Sequence, residues 1–475
     1  MNRTRHYLRQ WQERPVTELL AGAVATFALI PEVIAFSFTA GVDPEVGLFA
    51  SFVISIVIAI FGGRPAMISA AAGSVALVAA PLVREHGVQY LFAAGLLAGA
   101  MQIAFGLARL GTLMRYVSNS VRTGFVNALA ILIFSAQLPH ILGAGLMGYA
   151  VIAAGLAIIY LAPRATTRIP APLICVIALT AVCALPGIEV ARVADLGKLP
   201  EGPPIFALPE VPFDAELLRI IFLPALAIAM VGLLESLMTA GVVDDQTGTP
   251  SNKNAEARGL GLANVAASLF GGIAGCGMIG QTVSNVKYGG RGRLSTMAAG
   301  GFLLLLMVAL KDVVSEVPVA ALVAIMIMVS IDTLDWGSLR RLGATPGLSN
   351  LVMIATVAVT VLSHNLSLGV LVGVLMSGVF FAAKVARTQR VTRDGDTYTV
   401  EGQLFFASAA AFIDAFDPLE HDRPVTIDLT RANLWDITAL DAVEKVRDRF
   451  ARHALPVTIV GMRPIAQLDE PPSAA

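Results

Sequence analysis

From about residue 17 to residue 385 the chain is dominated by apolar runs of the length needed to cross a bilayer, roughly 20 residues at about 1.5 Å rise each. The clearest runs are 47–61, 90–108, 141–162, 219–243, 298–310, 318–331 and 350–383. Several are too short or too broken to be simple spans. Near residue 385 the pattern changes to charges and turn signals such as "RDGDTY". Beyond it "TYTVEGQLFF" alternates like a strand, and "PVTIDLT" and "PVTIVGM" read as short buried strands. "ALDAVEKVRDRFARHAL" has helical periodicity with charges on one face. The pattern predicts an all-α polytopic membrane domain followed by a small α/β domain.

Composition agrees: 56% of the 475 residues are hydrophobic and 14% are charged. A net charge of −1 gives no footing for a nucleic-acid partner, so the environment to reason from is the lipid bilayer. The basic, amphipathic "MNRTRHYLRQWQER" lacks the apolar core of a signal peptide and is read as cytoplasmic. Lys384, Arg387, Arg390 and Arg393 follow the last apolar run, which puts the C-terminus on the same side and makes the number of crossings even. Cys175, Cys183 and Cys276 lie in apolar segments without metal-ligand spacing and read as small buried hydrophobes.

These readings divide the chain into a cytoplasmic segment 1–14, a membrane domain 15–385 and a C-terminal domain 391–470. Within the membrane domain, repeats of about 15–200 and 205–385 are joined by the Pro-rich "LPEGPPIFALPEVPFD". Short echoes support a repeat: "TAGV" at 39–42 and 239–242, each at the end of the first long span of its half, and "AMIS" at 66–69 against "GMIG" at 277–280. Paired halves with interrupted segments are the plan of a secondary transporter.

The segment 62–83 opens with turn residues, continues extended and becomes helix-like from about Gly73; the segment 271–293 has the same character, with helix from near Gly280. Both read as half-helices beginning in mid-membrane, where free N–H groups form an anion site. Unwound backbone at that depth must be buried or line a wet cavity. Ser69, Ser74, Gln281 and Thr282 supply donors near the two starts, and Phe36 supplies an aromatic wall. Glu32 and Glu235 are carboxylates inside apolar spans, where an ionisable group costs several kcal/mol unless paired, protonated or wet. Thr239 lies one turn beyond Glu235 on the same face, so the two offer hard oxygen ligands for sodium; the same carboxylate could instead carry a proton. Pro31 is expected to break the first span so that Glu32 lines a polar cavity. Arg291, Arg293, Asp244, Asp312, Glu316 and Asp332 are expected at solvated span ends, and Lys287 is read as snorkelling. No nucleophile elbow, Walker loop or histidine metal spacing suggests an enzyme.

The chain resembles the SulP family of anion transporters, the sulfate-permease-like group. "PEVIAFSFTAGVDPEVGLFASF" looks like the family's first-span signature, with Glu32 where glutamine is usual and Phe36 where tyrosine is usual. "LGLANVAASLFGGIAGCGMIGQTVSNVKYGGRGRLS" resembles its second signature, and the tail is similar to a STAS domain. The resemblance implies fourteen segments in two inverted seven-segment repeats, a core moving against a gate, and a cytoplasmic STAS domain that helps make a homodimer. It implies an anion between the two half-helices, at Phe36, Ser69, Gly73, Ser74, Gly280, Gln281 and Thr282. "LLESLMT" with "CGMIGQTVSNVKYGGRGRLS" looks most like the sodium-coupled bicarbonate branch, with Glu235 and Thr239 holding sodium and backbone near Gly280 and Thr282 completing the site. Glu32 resembles instead the members that couple to protons and move dicarboxylates.

The expectation is therefore a multi-pass inner-membrane transporter of a small anion, coupled to sodium or protons and needing no further cofactor. Sodium–bicarbonate symport stands against proton-coupled dicarboxylate or sulfate symport. An anion channel and a membrane sensor are the alternatives of other classes. Asp436 to Thr438 reads either as a helix N-terminus or as a site where a regulatory partner or phosphorylation acts.

Overall fold

The computed structural model describes residues 2–112, 117–165, 171–185, 189–195, 202–309, 311–344, 347–363 and 366–462. It divides into two units, Met1–Gly373 and Val374–Ala475.

The first half of the membrane domain contains α1 (Asn2–Gln12), α2 (Pro15–Ala40), α3 (Pro44–Phe61), β1 (Ser69–Ala71), α4 (Gly73–His86), α5 (Val88–Leu107), α6 (Asn119–Leu142), α7 (Gly145–Ala165) and α8 (Ala171–Cys183). The second contains α9 (Ala215–Thr247), α10 (Lys253–Leu269), β2 (Gly275–Gly277), α11 (Ile279–Lys287), α12 (Arg293–Ala309), α13 (Lys311–Ser315), α14 (Val319–Thr333), α15 (Trp336–Ala344), α16 (Leu348–Ser363) and α17 (Leu366–Ala386). Setting aside α1, α13 and α15, these are fourteen membrane segments, seven in each half.

The packing repeats with the halves exchanged. Helix α2 packs on α12 as α9 packs on α5, α3 packs on α12 as α10 packs on α5, and α6 packs on α16 as α14 packs on α7. Equivalent strands β1 and β2 pair antiparallel, Ser69 with Gly277, Ala70 with Cys276 and Ala71 with Gly275. An antiparallel pair of equivalent segments is what a two-fold axis between the halves requires.

Helix ends follow their local chemistry. Pro15 and Pro44 stand in the first turns of α2 and α3, where a missing N–H is harmless. Asp214 accepts from Leu217 N at 2.8 Å and Asn252 from Ala255 N at 3.0 Å, capping α9 and α10. Small residues let α5 and α10 touch: a Cβ on Gly99 would lie 2.6 Å from the Gly261 carbonyl. Around α7, α8 and α14 a separate apolar core gathers Val151, Ile159, Cys175, Leu179, Ala321 and Ile325.

Four expectations are corrected. Helix α2 runs unbroken through Pro31, so the proline does not end the span. The first "TAGV" closes α2 at Gly41, which has φ 75°, whereas the second lies inside α9, which continues to Thr247. "AMIS" leads into β1 while "GMIG" leads out of β2, so those letters are not equivalent positions. The run 350–383 is two helices, α16 and α17, and α6, α8 and α10 are additional segments. Helix α10 is missing from the list of apolar runs because it turns Glu256, Asn264 and Ser268 into the protein interior.

The C-terminal unit holds β3 (Arg390–Asp394), β4 (Thr397–Leu404), α18 (Ala409–Asp414), β5 (Val425–Leu434), α19 (Ile437–Ala451) and β6 (Val457–Val460). The sheet order is β3-β4-β5-β6, with β3 antiparallel to β4 and the other neighbours parallel. Its core is Val400, Phe412, Phe416, Ile427, Val446 and Phe450. Asp436 caps α19 by accepting from Ala439 N at 2.9 Å, and its other oxygen accepts from Phe406 N at 2.9 Å.

Candidate functional site

Two short extended strands in the interior of a membrane domain must satisfy their backbone groups without water. Side chains do so on both edges. Ser55 Oγ donates to Ser69 O at 2.9 Å, and Ala71 N donates to Ser51 Oγ at 3.2 Å, so two serines of α3 bind β1. Asn264 of α10 accepts from Gly275 N at 2.8 Å and donates to Gly275 O at 3.1 Å. Gly277 N donates to Ser236 Oγ at 2.8 Å, and Thr239 Oγ1 bonds Gly277 O at 3.0 Å. Gln102 braces Asn264, accepting from its Nδ2 at 2.8 Å while donating to Ala229 O at 3.2 Å.

Each strand feeds a helix start, α4 at Gly73 and α11 at Ile279. Both starts open on a cavity of about 380 Å³. Of the residues singled out in the sequence, Glu32, Phe36, Gly73, Ser74, Glu235, Gly280 and Gln281 line it. Phe125, Leu129, Ile133, Met238, Met278 and Met328 give it an apolar wall. Phe36 packs closely against the α4 start, since a Cβ on Gly73 would lie 2.7 Å from its ring.

Ser69, Thr239 and Thr282 stand behind the cavity rather than in it. The Ser69 hydroxyl is buried without a hydrogen-bond partner among the described residues. Thr282 Oγ1 accepts from Ile68 N at 2.9 Å, tying α11 to β1. Thr239 Oγ1 reaches the carbonyls of Glu235, at 2.9 Å, and Gly277 rather than the Glu235 carboxylate.

The electrostatics of the cavity are one-sided. Glu235 Oε2 accepts from the Ser74 hydroxyl and from Cys276 Sγ, the latter at 3.1 Å. Glu32 has the Gln281 amide as its hydrogen-bonding neighbour and is close enough to Asp332 to feel its charge. Among the described residues no lysine, arginine or histidine lines the cavity, so positive potential there comes from the two helix starts. No group of three or more His, Cys, Asp or Glu side chains is arranged to hold a metal ion among the described residues.

Asp332, placed by sequence at a solvated span end, is exposed at the end of α14 and also lines this cavity. Arg293 corrects an expectation. It is buried, donating to Ala59 O and Gly62 O at 2.8 Å, with its guanidinium 4.7 Å from the Tyr7 ring centre. Asp244 is paired with Arg64 at 3.1 Å and Lys253 at 2.8 Å, and Glu316 is paired with Arg192. Lys287 is exposed and does not line the cavity. The sequence reading does not single out Asn264 or Gln102, and it takes Cys276 as a small buried hydrophobe rather than a donor to Glu235. Two side-chain amides facing apolar neighbours were the available signal, because a buried amide needs partners.

Residues 16–151 and 144–356 match the model of the Sulfate permease family, and residues 387–467 match the STAS domain. The chain is 48% identical over 466 residues to the putative sulfate transporter YbaR of Bacillus subtilis, covering 97% of this chain and 98% of that protein. It is 29% identical over 405 residues to the bicarbonate transporter BicA of Picosynechococcus, covering 78% and 71%. The solved transmembrane domain of a cyanobacterial BicA superposes with a TM-score of 0.68 at 27% identity, covering 76% of this chain and 98% of that one. Murine Slc26a9, an anion transporter solved in its inward-facing state, shares the fold at a TM-score of 0.81 and 17% identity over 97% of this chain and 88% of that one.

Proposed function

The chain belongs to the sulfate permease family and ends in a STAS domain, and from that premise we propose that it is a secondary active symporter carrying a small oxyanion with a cation, bicarbonate with sodium. The observation that carries this reading is the joining of two helix starts and Glu235 on one cavity. An anion between the starts of α4 and α11 meets free N–H groups, each favourable charge contact worth about 0.3 to 2 kcal/mol. The carboxylates lining the same space oppose it unless a cation or proton is present. Each ligand therefore raises the affinity for the other, and the coupling is reciprocal.

Glu235 is suited to the cation. Its Oε2 is occupied by two donors, and no hydrogen bond reaches its other oxygen among the described residues. With the Ser74 hydroxyl oxygen and nearby carbonyls this offers the hard donors sodium takes. Thr239 supports that group through Gly277 rather than from the cavity face. Movement of the core around the loaded site would expose it to alternate sides. The protein works in the inner membrane with both termini cytoplasmic, as a dimer whose STAS domain receives regulatory partners.

Proton coupling is the second reading, favoured by the apposition of Glu32 and Asp332, where one proton would relieve the repulsion of two acids. Sulfate is the competing anion, from the name of the YbaR relative.

The test is uptake of labelled bicarbonate, sulfate and fumarate into proteoliposomes under an inward sodium gradient, an inward proton gradient, or neither. Sodium-driven bicarbonate accumulation is the expected result. Proton-driven uptake would move the coupling role to Glu32 and Asp332. Flux that no gradient drives uphill would make the protein a channel.

A further inference from the structure

Resting on Glu235 as the coupling carboxylate, we infer that Cys276 is a positioning residue that aims the unshared oxygen of Glu235 into the cavity. The thiol is fully buried in β2, with Sγ 3.1 Å from Glu235 Oε2 and 3.8 Å from Ser74 Oγ. The Ser74 hydroxyl donates to the same oxygen. Two donors of different origin, one from the start of α4 and one from the middle of β2, thus converge on a single carboxylate oxygen.

That convergence has a directional consequence. A carboxylate has two oxygens, and pinning one from two sides fixes the plane of the group. Glu235 lines the cavity, so its second oxygen is presented to whatever enters. Cys276 therefore sets the orientation in which Glu235 meets a cation. Its place is fixed independently of Glu235, because its neighbours Gly275 and Gly277 are held by Asn264 and Ser236 and the residue itself pairs with Ala70.

Two further carboxyl groups, Glu32 of α2 and Asp332 of α14, line the same cavity. The parts of α4, α6 and α11 that line it contribute no ionisable side chain, and Gln102 of α5 and Asn264 of α10 are neutral. Among the described residues only Ser74 and Cys276 donate hydrogen bonds to this carboxylate.

The experiment compares wild type, Cys276→Ala, Cys276→Val and Cys276→Ser in proteoliposomes, reading the sodium concentration for half-maximal uptake and the anion KM. Alanine and valine, which lack the donor, are expected to raise the sodium requirement about three- to tenfold. Serine, a donor in nearly the same place, is expected to restore most of it, and the anion KM at saturating sodium should change less than twofold. Valine leaves no cavity and cannot donate, and it serves if alanine does not give folded protein. An unchanged sodium requirement in the donor-less variants overturns the inference, as does an equal defect in serine, which would reduce Cys276 to packing. Glu235→Gln run alongside separates the two levels: coupled uptake surviving in that variant removes the coupling role of Glu235 itself.

Discussion

Asn264 and Gly275 are joined twice, by Gly275 N donating to Oδ1 at 2.8 Å and by Nδ2 donating to Gly275 O at 3.1 Å. This is how one strand pairs with its neighbour, performed by a side-chain amide. Asn264 acts as a one-residue extension of the β1–β2 ladder and fixes where the α11 start sits.

Asn264→Ala removes both bonds and leaves two backbone groups buried without partners, each worth about 1 to 3 kcal/mol. Anion uptake is expected to fall at least tenfold, with a lower melting temperature in detergent. Asn264→Asp keeps the acceptor only and is expected to fall between. Uptake rates and thermal scans of the purified variants check this, and wild-type uptake by Asn264→Ala would show that the strand is held adequately without it.

Gly73→Ala is expected to impair transport because the new Cβ would lie 2.7 Å from the Phe36 ring. The remedy is equally specific. Phe36→Ala in the same chain removes the obstacle, so the double variant should recover part of the uptake lost by Gly73→Ala, measured as a double-mutant cycle. Strict additivity would mean the ring and the helix start do not constrain one another.

Glu32→Gln and Asp332→Asn separate the two coupling readings. With sodium at Glu235, each variant should retain sodium-driven accumulation, and the reduced negative charge in the cavity should lower the anion KM. With a proton shared between Glu32 and Asp332, either change should abolish proton-driven uptake while leaving anion exchange measurable by counterflow.

Glu18 is buried and its carboxylate accepts from Arg291 N at 2.6 Å, Gly292 N at 2.9 Å and Ser295 N at 3.1 Å, closing the start of α12. Glu18→Ala is expected to lower thermal stability by about 2 kcal/mol, since it deletes a helix cap whose donors stay buried. Glu18→Gln should recover part of it. A thermal scan in detergent checks both, and an unchanged melting temperature would mean that water replaces the carboxylate.

Much of this molecule was legible in one dimension because lipid allows so few solutions. Apolar runs must become helices, extended backbone at depth must be enclosed, and a carboxylate inside a span must have a reason; the starts at Gly73 and Ile279 and the gathering of Glu32, Phe36, Ser74 and Glu235 follow from those constraints. The change at residue 385 marked the α/β domain for the same reason, since only water tolerates such charge density. What only the tertiary structure decided was which side chains meet across the two halves. Thr239 shares a helix with Glu235 yet bonds Gly277, while Cys276, 41 positions away in sequence, reaches the carboxylate. Asp332 is the exposed helix end its sequence suggests, and only the packing of α14 beside α2 brings it to the cavity. Helical spacing relates residues within one element. Contacts between elements depend on how the two repeats interlock, and no local pattern of letters encodes that.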